Sequence, residues 1–248
     1  MKKILILGCS FTLGSYTIAS KEVAAFHERK NRKAPDEYIE GSYGWWYFVD
    51  YFKNNDVTVI AFPAQGYWAY YQILLYLEEQ NKLEYDEIWI QETSEPRATI
   101  NNYKEISSLF VLQQKEHIKI NETFNVFHAG LLAVTHFNYY FSLNSWNCKK
   151  ENEPYTLWRT FFKEITKLCA KNIDKLCAEK NIKGYVWSMY DSIMECKHFT
   201  RLPLTSIRQE LKDNNLLVPG DNNGLHQTEE GNKYIGELIN KACIDMKI

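Results

Sequence analysis

Short apolar runs alternate with longer stretches of helical spacing along this chain of 248 residues, and this alternation constrains the fold more than any other feature. The apolar runs are Lys3 to Gly8, Val57 to Phe62, Asp86 to Gln91 and Gly184 to Met189. The helical stretches are Tyr43 to Phe52, Gly66 to Leu83, Trp158 to Asn181 and Thr228 to Ile244. Strands that alternate with helices predict a parallel sheet covered on both faces, which is a three-layer α/β/α fold.

No internal repeat and no linker rich in proline or glycine divides the chain. We therefore predict a single α/β domain over residues 1–248. Residues 98–150 fit no strand–helix unit, and we interpret them as an insertion of helices and aromatic-rich loops.

Charge and hydropathy exclude several classes of partner. Lysine and arginine number 29 and aspartate and glutamate number 31, so the net charge is −2. A protein that binds polyanions usually carries a basic surplus, so we expect no nucleic-acid partner. No stretch approaches the length of about 18 apolar residues that a membrane span needs. The apolar run after Met1 stops at Gly8, too short for a signal peptide, so the sequence predicts a cytoplasmic protein without membrane contact.

The six cysteines show no CxxC pair and no spacing typical of zinc ligands. Cys169 and Cys177 lie eight residues apart in a predicted helix, which favours two buried thiols on one face. We therefore expect reduced cysteines, no metal and no cofactor.

The segment Gly8-Cys9-Ser10-Phe11-Thr12 follows the first predicted strand. Sites in open parallel sheets lie at the carboxyl ends of the strands. Gly8 allows a tight bend there, and Ser10 would then expose its hydroxyl at the start of a helix, where unpaired N–H groups stabilise a developing anion. Ser10 is therefore a candidate nucleophile, although a serine in this position also serves as a helix cap.

A candidate base stands near the other end of the chain. His226 closes the segment Asp221-Asn222-Asn223-Gly224-Leu225-His226, which follows a Pro-Gly turn and precedes the last predicted helix. A serine nucleophile needs an imidazole to remove its proton, and the imidazole needs an acidic partner to hold its tautomer. A histidine in a loop at the carboxyl edge of the sheet would reach back to Ser10.

Together these segments resemble the SGNH/GDSL hydrolase family. That family carries its nucleophilic serine in a G-D-S-like block directly after the first strand and its histidine in a D-x-x-H block before the last helix. Leu7-Gly8-Cys9-Ser10 corresponds to the first block, with Cys9 in place of the usual aspartate, and Asn223-Gly224-Leu225-His226 corresponds to the last. The family's glycine after the second strand matches Gly66. The resemblance spans residues 4 to about 240 and implies a flavodoxin-like SGNH hydrolase fold and a serine esterase mechanism.

The chain departs from the family pattern in the oxyanion hole. Where the family has an asparagine after the third strand, this sequence reads Gln91-Glu92-Thr93-Ser94. The resemblance then assigns the donor role to Thr93, with Ser94 as second choice, beside the backbone N–H groups of Ser10 and Gly66. A hydroxyl still donates a hydrogen bond, and losing one good donor costs about 10²–10³ in rate, so activity would survive in weakened form.

The second departure concerns the acid. The position three residues before His226 is Asn223, and an asparagine cannot neutralise an imidazolium. Asp221, five residues before His226, is the candidate acid because the loop has a glycine on either side of it and can bend. Alternatively, Asp221 caps a turn and the site works as a Ser–His dyad.

Arg97 and Asn223 are candidate substrate-binding residues. Arg97 follows a strand end and Pro96, so it would bind a substrate carboxylate or phosphate, or else pair with Glu92 or Glu95 as scaffolding. The aromatic residues near Gly66 and the Trp45-Trp46 pair would wall an acyl or sugar pocket, or belong to the core.

The leading hypothesis is a serine esterase that acts on a small O-acyl ester, for which the resemblance suggests an acylated carbohydrate. Acyl transfer through the same site is a close variant. The contrasting hypotheses are a ligand-binding module of the same fold without catalysis and, least favoured, a flavodoxin-like nucleotide binder, because the chain has no GxGxxG or Walker A motif.

Overall fold

A computed structural model describes ten parts of the chain. They are residues 1–13, 44–61, 66–92, 118–120, 124–128, 153–189, 195, 197–205, 207–217 and 227–248. Within these parts, residues 10, 13, 118–120, 124–128 and 153–162 are described by their backbone alone.

The described residues form a sheet of seven strands whose order along the sheet is β4-β5-β2-β1-β3-β6-β7. The strands are β1 Lys3–Gly8, β2 Asp56–Ala61, β3 Glu87–Glu92, β4 Ile118–Ile120, β5 Phe124–His128, β6 Lys183–Ser188 and β7 Thr200–Arg201. Strand β4 pairs antiparallel with β5, and every other pairing is parallel. The central order β2-β1-β3-β6 is that of a doubly wound, flavodoxin-like sheet.

Helices cover both faces of this sheet. They are α1 Ser10–Leu13, a 3-10 helix at Trp45–Phe48, α2 Asp50–Lys53, α3 Tyr67–Glu79, α4 Glu153–Glu179, α5 Ile207–Asp213 and α6 Glu229–Met246. One core lies between the sheet and helices α3 and α4. The other lies between the sheet and the 3-10 helix, α2, α5 and α6. The predicted three-layer α/β/α fold is therefore confirmed.

The two cores follow from the alternation of side chains along buried strands. Leu5 and Leu7 of β1 face the α3 side, whereas Ile4 and Ile6 face the α6 side. Because both faces are covered, the central residues of these strands are mostly apolar instead of alternating with polar residues. This is why four of the seven strands are visible in the sequence as continuous apolar runs.

Several predicted boundaries differ from the observed ones. The predicted helix from Tyr43 to Phe52 is a 3-10 helix and a separate α2, because Val49 between them is extended at φ −90° and ψ 114°. Helix α3 ends at Glu79, before the predicted Leu83, and Asn81 with φ 52° takes the left-handed conformation that stops a helix. The interpretation of residues 98–150 as helices and loops missed strands β4 and β5, while the single domain stays a prediction.

In the described part of the chain, no helix is both long enough and apolar enough to cross a bilayer.

Candidate active site

The carboxyl ends of β1, β2 and β3 meet at one edge of the sheet, and the predicted site residues follow these strands or precede α6 in the sequence. Ser10 is the first residue of α1, and Gly66 directly precedes α3. The other predicted site residues lie outside the described residues: Thr93, Ser94, Arg97, Asp221, Asn223 and His226. Their positions and contacts stay predictions.

Close packing explains why glycine ends β1. A Cβ atom on Gly8 would lie 1.8 Å from Oγ1 of Thr12, so a larger residue does not fit without displacing Thr12. The N–H group of Thr12 donates to the carbonyl oxygen of Cys9 at 3.0 Å and closes the turn that contains Ser10. The buried Thr12 hydroxyl donates to Oε1 of Gln91, which joins this turn to the carboxyl end of β3.

Most of the aromatic candidates for a pocket wall belong to the core. Trp45, Trp46, Tyr67 and Tyr70 are buried, whereas Trp68 and Tyr71 are half-buried. The indole N–H of Trp46 donates to the carbonyl oxygen of Thr12 at 2.7 Å. The Trp45 ring packs edge-on against Trp187, with 5.1 Å between the ring centroids. The tryptophan pair therefore supports the turn from the α6 side of the sheet.

Gly66 lies at the start of α3, and its role as an oxyanion donor stays a prediction. It is buried, extended at φ −146° and ψ −167°, and serves as the N-cap of α3 without a side chain. The first N–H groups of a helix have no partner within the helix. The amide groups at the start of α3 thus belong to the class of donors that stabilise an oxyanion.

A fully buried carboxylate ends β3. The Glu92 side chain is 0% exposed, and each of its oxygens accepts a hydrogen bond from a described residue. The Tyr67 hydroxyl donates to Oε1 at 2.9 Å, and Nη1 of Arg201 donates to Oε2 at 2.8 Å. The described arginine that binds Glu92 is thus Arg201, from the edge strand β7.

On the α6 side of the sheet, a hydrogen bond links two residues that are far apart in the sequence, Phe11 and Gln227. Nε2 of Gln227 donates to the carbonyl oxygen of Phe11 at 2.8 Å and to Oδ1 of Asn232 at 2.7 Å. All three residues are buried. The next residue, Thr228, caps α6 by accepting the N–H group of Gly231 at 3.1 Å. The segment that enters α6 is therefore fixed to α1.

Sequence reasoning named Glu92 as a possible partner of Arg97 but missed its partners Tyr67 and Arg201, and it missed Gln227 altogether. Glu92 and Arg201 are 109 positions apart, and Phe11 and Gln227 are 216 positions apart. No local pattern predicts such pairs. The one available signal is position, since Gln227 directly follows the candidate His226 and Glu92 directly precedes the candidate Thr93.

Three of the described cysteines are poorly suited to act as nucleophiles because they are buried. Burial raises the pKa of the Cys169 and Cys243 thiols to about 11. Burial, with a smaller contribution from Asp174, raises the pKa of the Cys177 thiol to about 12. Because the thiolate is the reactive form, these three side chains are poor nucleophiles near neutral pH. The predicted pair of buried thiols, Cys169 and Cys177, is confirmed.

A groove beside α4 offers no alternative catalytic pair. It encloses a volume of about 720 Å³ and contains Asp174 and His198 among several lysines. Nε2 of His198 is bonded to the carbonyl oxygen of Ile182 at 2.7 Å. Asp174 accepts the backbone N–H groups of Lys197, His198 and Phe199. Both side chains thus hold the loop before β7. In the described residues no group of His, Cys, Asp and Glu side chains has the arrangement of a metal site.

Comparison with known proteins gives weak likenesses only. No family model and no curated protein matches the chain. A candidate lipolytic protein of the G-D-S-L family from Desulfitobacterium hafniense DCB-2 is similar at 11% identity and a TM-score of 0.32, covering 98% of this chain and 99% of that chain. A candidate acylhydrolase from Bacteroides fragilis NCTC 9343 is similar at 12% identity and a TM-score of 0.30, covering 99% and 88%. TM-scores this low support no conclusion about function.

Proposed function

We propose that this protein is a serine hydrolase that cleaves small O-acyl esters. In this proposal Ser10 is the nucleophile, His226 is the general base and then the general acid, and Asp221 orients His226. The backbone N–H groups of Ser10 and Gly66, together with the Thr93 hydroxyl, bind the oxyanion, and Ser94 is the second choice for the third donor. Arg97 and Asn223 contact the substrate.

The observation that carries the proposal is the hydrogen bond from Gln227 to the carbonyl oxygen of Phe11. Phe11 directly follows Ser10, and Gln227 directly follows His226. Neighbouring Cα atoms are about 3.8 Å apart, so this bond limits the separation of the two segments that carry the candidate nucleophile and base. Two segments from opposite ends of the chain thus meet at the edge of the sheet where such sites lie.

The proposed reaction has two steps. Ser10 Oγ attacks the ester carbonyl while its proton passes to His226, and the oxyanion donors stabilise the tetrahedral intermediate. The intermediate collapses, His226 protonates the departing alcohol, and an acyl-enzyme remains. Water, deprotonated by His226, then attacks the acyl group and releases the acid and free Ser10.

A fluorophosphonate probe tests the proposal without knowledge of the natural substrate. We expect the folded protein to be labelled, and the modified peptide, mapped by mass spectrometry, to contain Ser10. Ser10→Ala should abolish labelling, and His226→Ala should slow it by roughly 10²–10⁴-fold because general base catalysis is lost. His198→Ala is the matched control, since that ring bonds a backbone carbonyl beside another strand, and it should be labelled at the wild-type rate.

Labelling at a residue other than Ser10, or equal labelling of Ser10→Ala and the wild type, would contradict the proposed mechanism. Absence of labelling in a folded wild-type protein, together with absence of p-nitrophenyl acetate hydrolysis, would favour the ligand-binding module.

A further inference from the structure

The buried Glu92 carboxylate connects three elements at the candidate edge of the sheet. Glu92 is the last residue of β3. Its Oε1 accepts a hydrogen bond from the hydroxyl of Tyr67 at the start of α3, and its Oε2 accepts one from Arg201 of β7. Burying a charge costs free energy unless it is paired and hydrogen-bonded, and here each oxygen has a partner. A fully bonded carboxylate of this kind fixes the relative position of the elements that it joins.

The elements that Glu92 joins are those that carry two of the proposed oxyanion donors. Tyr67 directly follows Gly66, and Glu92 directly precedes Thr93. One hydrogen bond of 2.9 Å therefore sets the separation between the segment with the Gly66 amide and the segment with Thr93. Oxyanion donors have to match the developing charge closely, and a displacement of about 1 Å costs on the order of 10²-fold in rate.

We infer that Glu92 is a positioning residue for the oxyanion hole and acts through the Tyr67 hydroxyl. This inference rests on the proposed function. In this inference Glu92 acts by position, since both of its oxygens accept hydrogen bonds from other elements of the fold. Arg201, whose side chain is 34% exposed, neutralises the carboxylate and holds it from the β7 side.

The same strand supplies a matched control at its other end. Glu87 begins β3 and is equally buried, and its Oε1 accepts the Tyr51 hydroxyl at 2.7 Å and Nζ of Lys2 at 2.6 Å. The described residues thus include two assemblies in which a buried glutamate binds a tyrosine and a cation, separated by about 16 Å along β3. The Glu87 assembly lies at the amino end of the sheet, away from the proposed site.

The experiment compares Tyr67→Phe with Tyr51→Phe, since each substitution removes one tyrosine hydroxyl that donates to a buried glutamate carboxylate. We expect Tyr67→Phe to lower both kcat for p-nitrophenyl acetate and the rate of fluorophosphonate labelling by about 10–100-fold, with KM nearly unchanged, because the donors act on the transition state. Tyr51→Phe should leave both rates within about twofold of the wild type. The thermal midpoint should fall more in Tyr67→Phe, because Oε1 of Glu87 keeps Nζ of Lys2 as a donor when the Tyr51 hydroxyl is removed.

A second pair of variants keeps the test decisive if Tyr67→Phe does not fold. Glu92→Asp and Glu87→Asp retain the charge but shorten the side chain by one methylene, so the carboxylate no longer reaches both partners. Glu92→Asp should slow labelling by about tenfold relative to Glu87→Asp. Wild-type labelling at Ser10 combined with equal rates in the Tyr67 and Tyr51 variants, or in the two aspartate variants, would overturn the inference and leave the proposed function standing. A folded wild type that is neither labelled nor active would overturn both.

Discussion

In the proposed mechanism Asp221 orients His226, although Asn223 stands at the position where the family that the chain resembles has its acid. An aspartate that orients the histidine of a catalytic triad contributes about 10⁴ to kcat. We therefore expect Asp221→Asn to lower kcat for p-nitrophenyl esters by several orders of magnitude, whereas Asn223→Ala has a much smaller effect. A nearby carboxylate favours the imidazolium form of histidine, so its loss should also move the acid limb of the pH–rate profile to lower pH.

Kinetics on three variants separate the alternatives for this residue. If Asp221→Asn is silent, Ser10 and His226 form a dyad and the assignment of Asp221 is wrong. If Asn223→Asp raises kcat sharply, the native site lacks its acid.

At the scale of elements, the side chain of Gln227 connects the segment before α6 to α1 by a hydrogen bond. Gln227→Met keeps the volume but removes the donor that serves Phe11 and Asn232. Oδ1 of the buried Asn232 loses this donor, and a lost buried hydrogen bond of this kind costs about 1–3 kcal/mol, so we expect the free energy of unfolding in urea titrations to fall by about that amount. The labelling rate of Ser10 should fall as well, because the segment with His226 is then less firmly held.

Gln209→Met is the control for this prediction. Gln209 is an exposed glutamine of α5, and its Nε2 binds Asp213 at 2.6 Å. Its loss should change the free energy of unfolding by no more than about 0.5 kcal/mol and leave labelling unchanged. Equal effects of the two variants would show that the Gln227 bond has no special role.

The elements that could be predicted from the sequence are those whose burial produces a recognisable pattern of apolar residues within the element itself. Strand β1 is a run of apolar side chains because both of its faces are covered, and the helix predicted from Thr228 to Ile244 is observed as α6, with Thr228 as its N-cap. Strand β7 has only two residues and α5 only seven, so each is shorter than the stretch over which hydrophobic periodicity predicts a strand or a helix. The hydrogen bonds of Glu92 and Gln227 beside the proposed site could not be predicted, because their partners lie more than 20 positions away in the sequence.

At the scale of the whole molecule, both cores of the fold contain thiols. Cys169 and Cys177 lie in the core on the α3 side, and Cys243 lies in the core on the α6 side. Burial raises the pKa of these thiols to about 11, 12 and 11 respectively, against about 8.5–9 for an exposed cysteine. Folding therefore depends on keeping them protonated, which makes stability sensitive to alkaline pH.

The sign of this dependence follows from proton binding. Below about pH 8.5 the thiols are protonated in both states and contribute no slope. Above that pH the unfolded chain loses thiol protons while the native protein keeps them, so the free energy of unfolding falls as pH rises, until the pH passes the native pKa of about 11–12. Each thiol contributes on the order of 1 kcal/mol per pH unit within that window. Burial and its hydrogen bond to Glu87 raise the pKa of Tyr51, which acts in the same direction above about pH 10.

Urea unfolding at a series of pH values between about 7 and 11 measures this dependence. We expect a plateau up to about pH 8.5 followed by a steady decline, and Cys177→Ala should make the decline shallower because one thiol no longer titrates in the unfolded chain. Ile173→Val is the control, since it truncates a buried neighbour in the same core and should lower stability by about 0.5–1.5 kcal/mol at every pH without altering the slope. A decline in Cys177→Ala as steep as that of Ile173→Val would mean that this thiol does not titrate differently in the two states, and the alkaline loss of stability would then have to come from other groups.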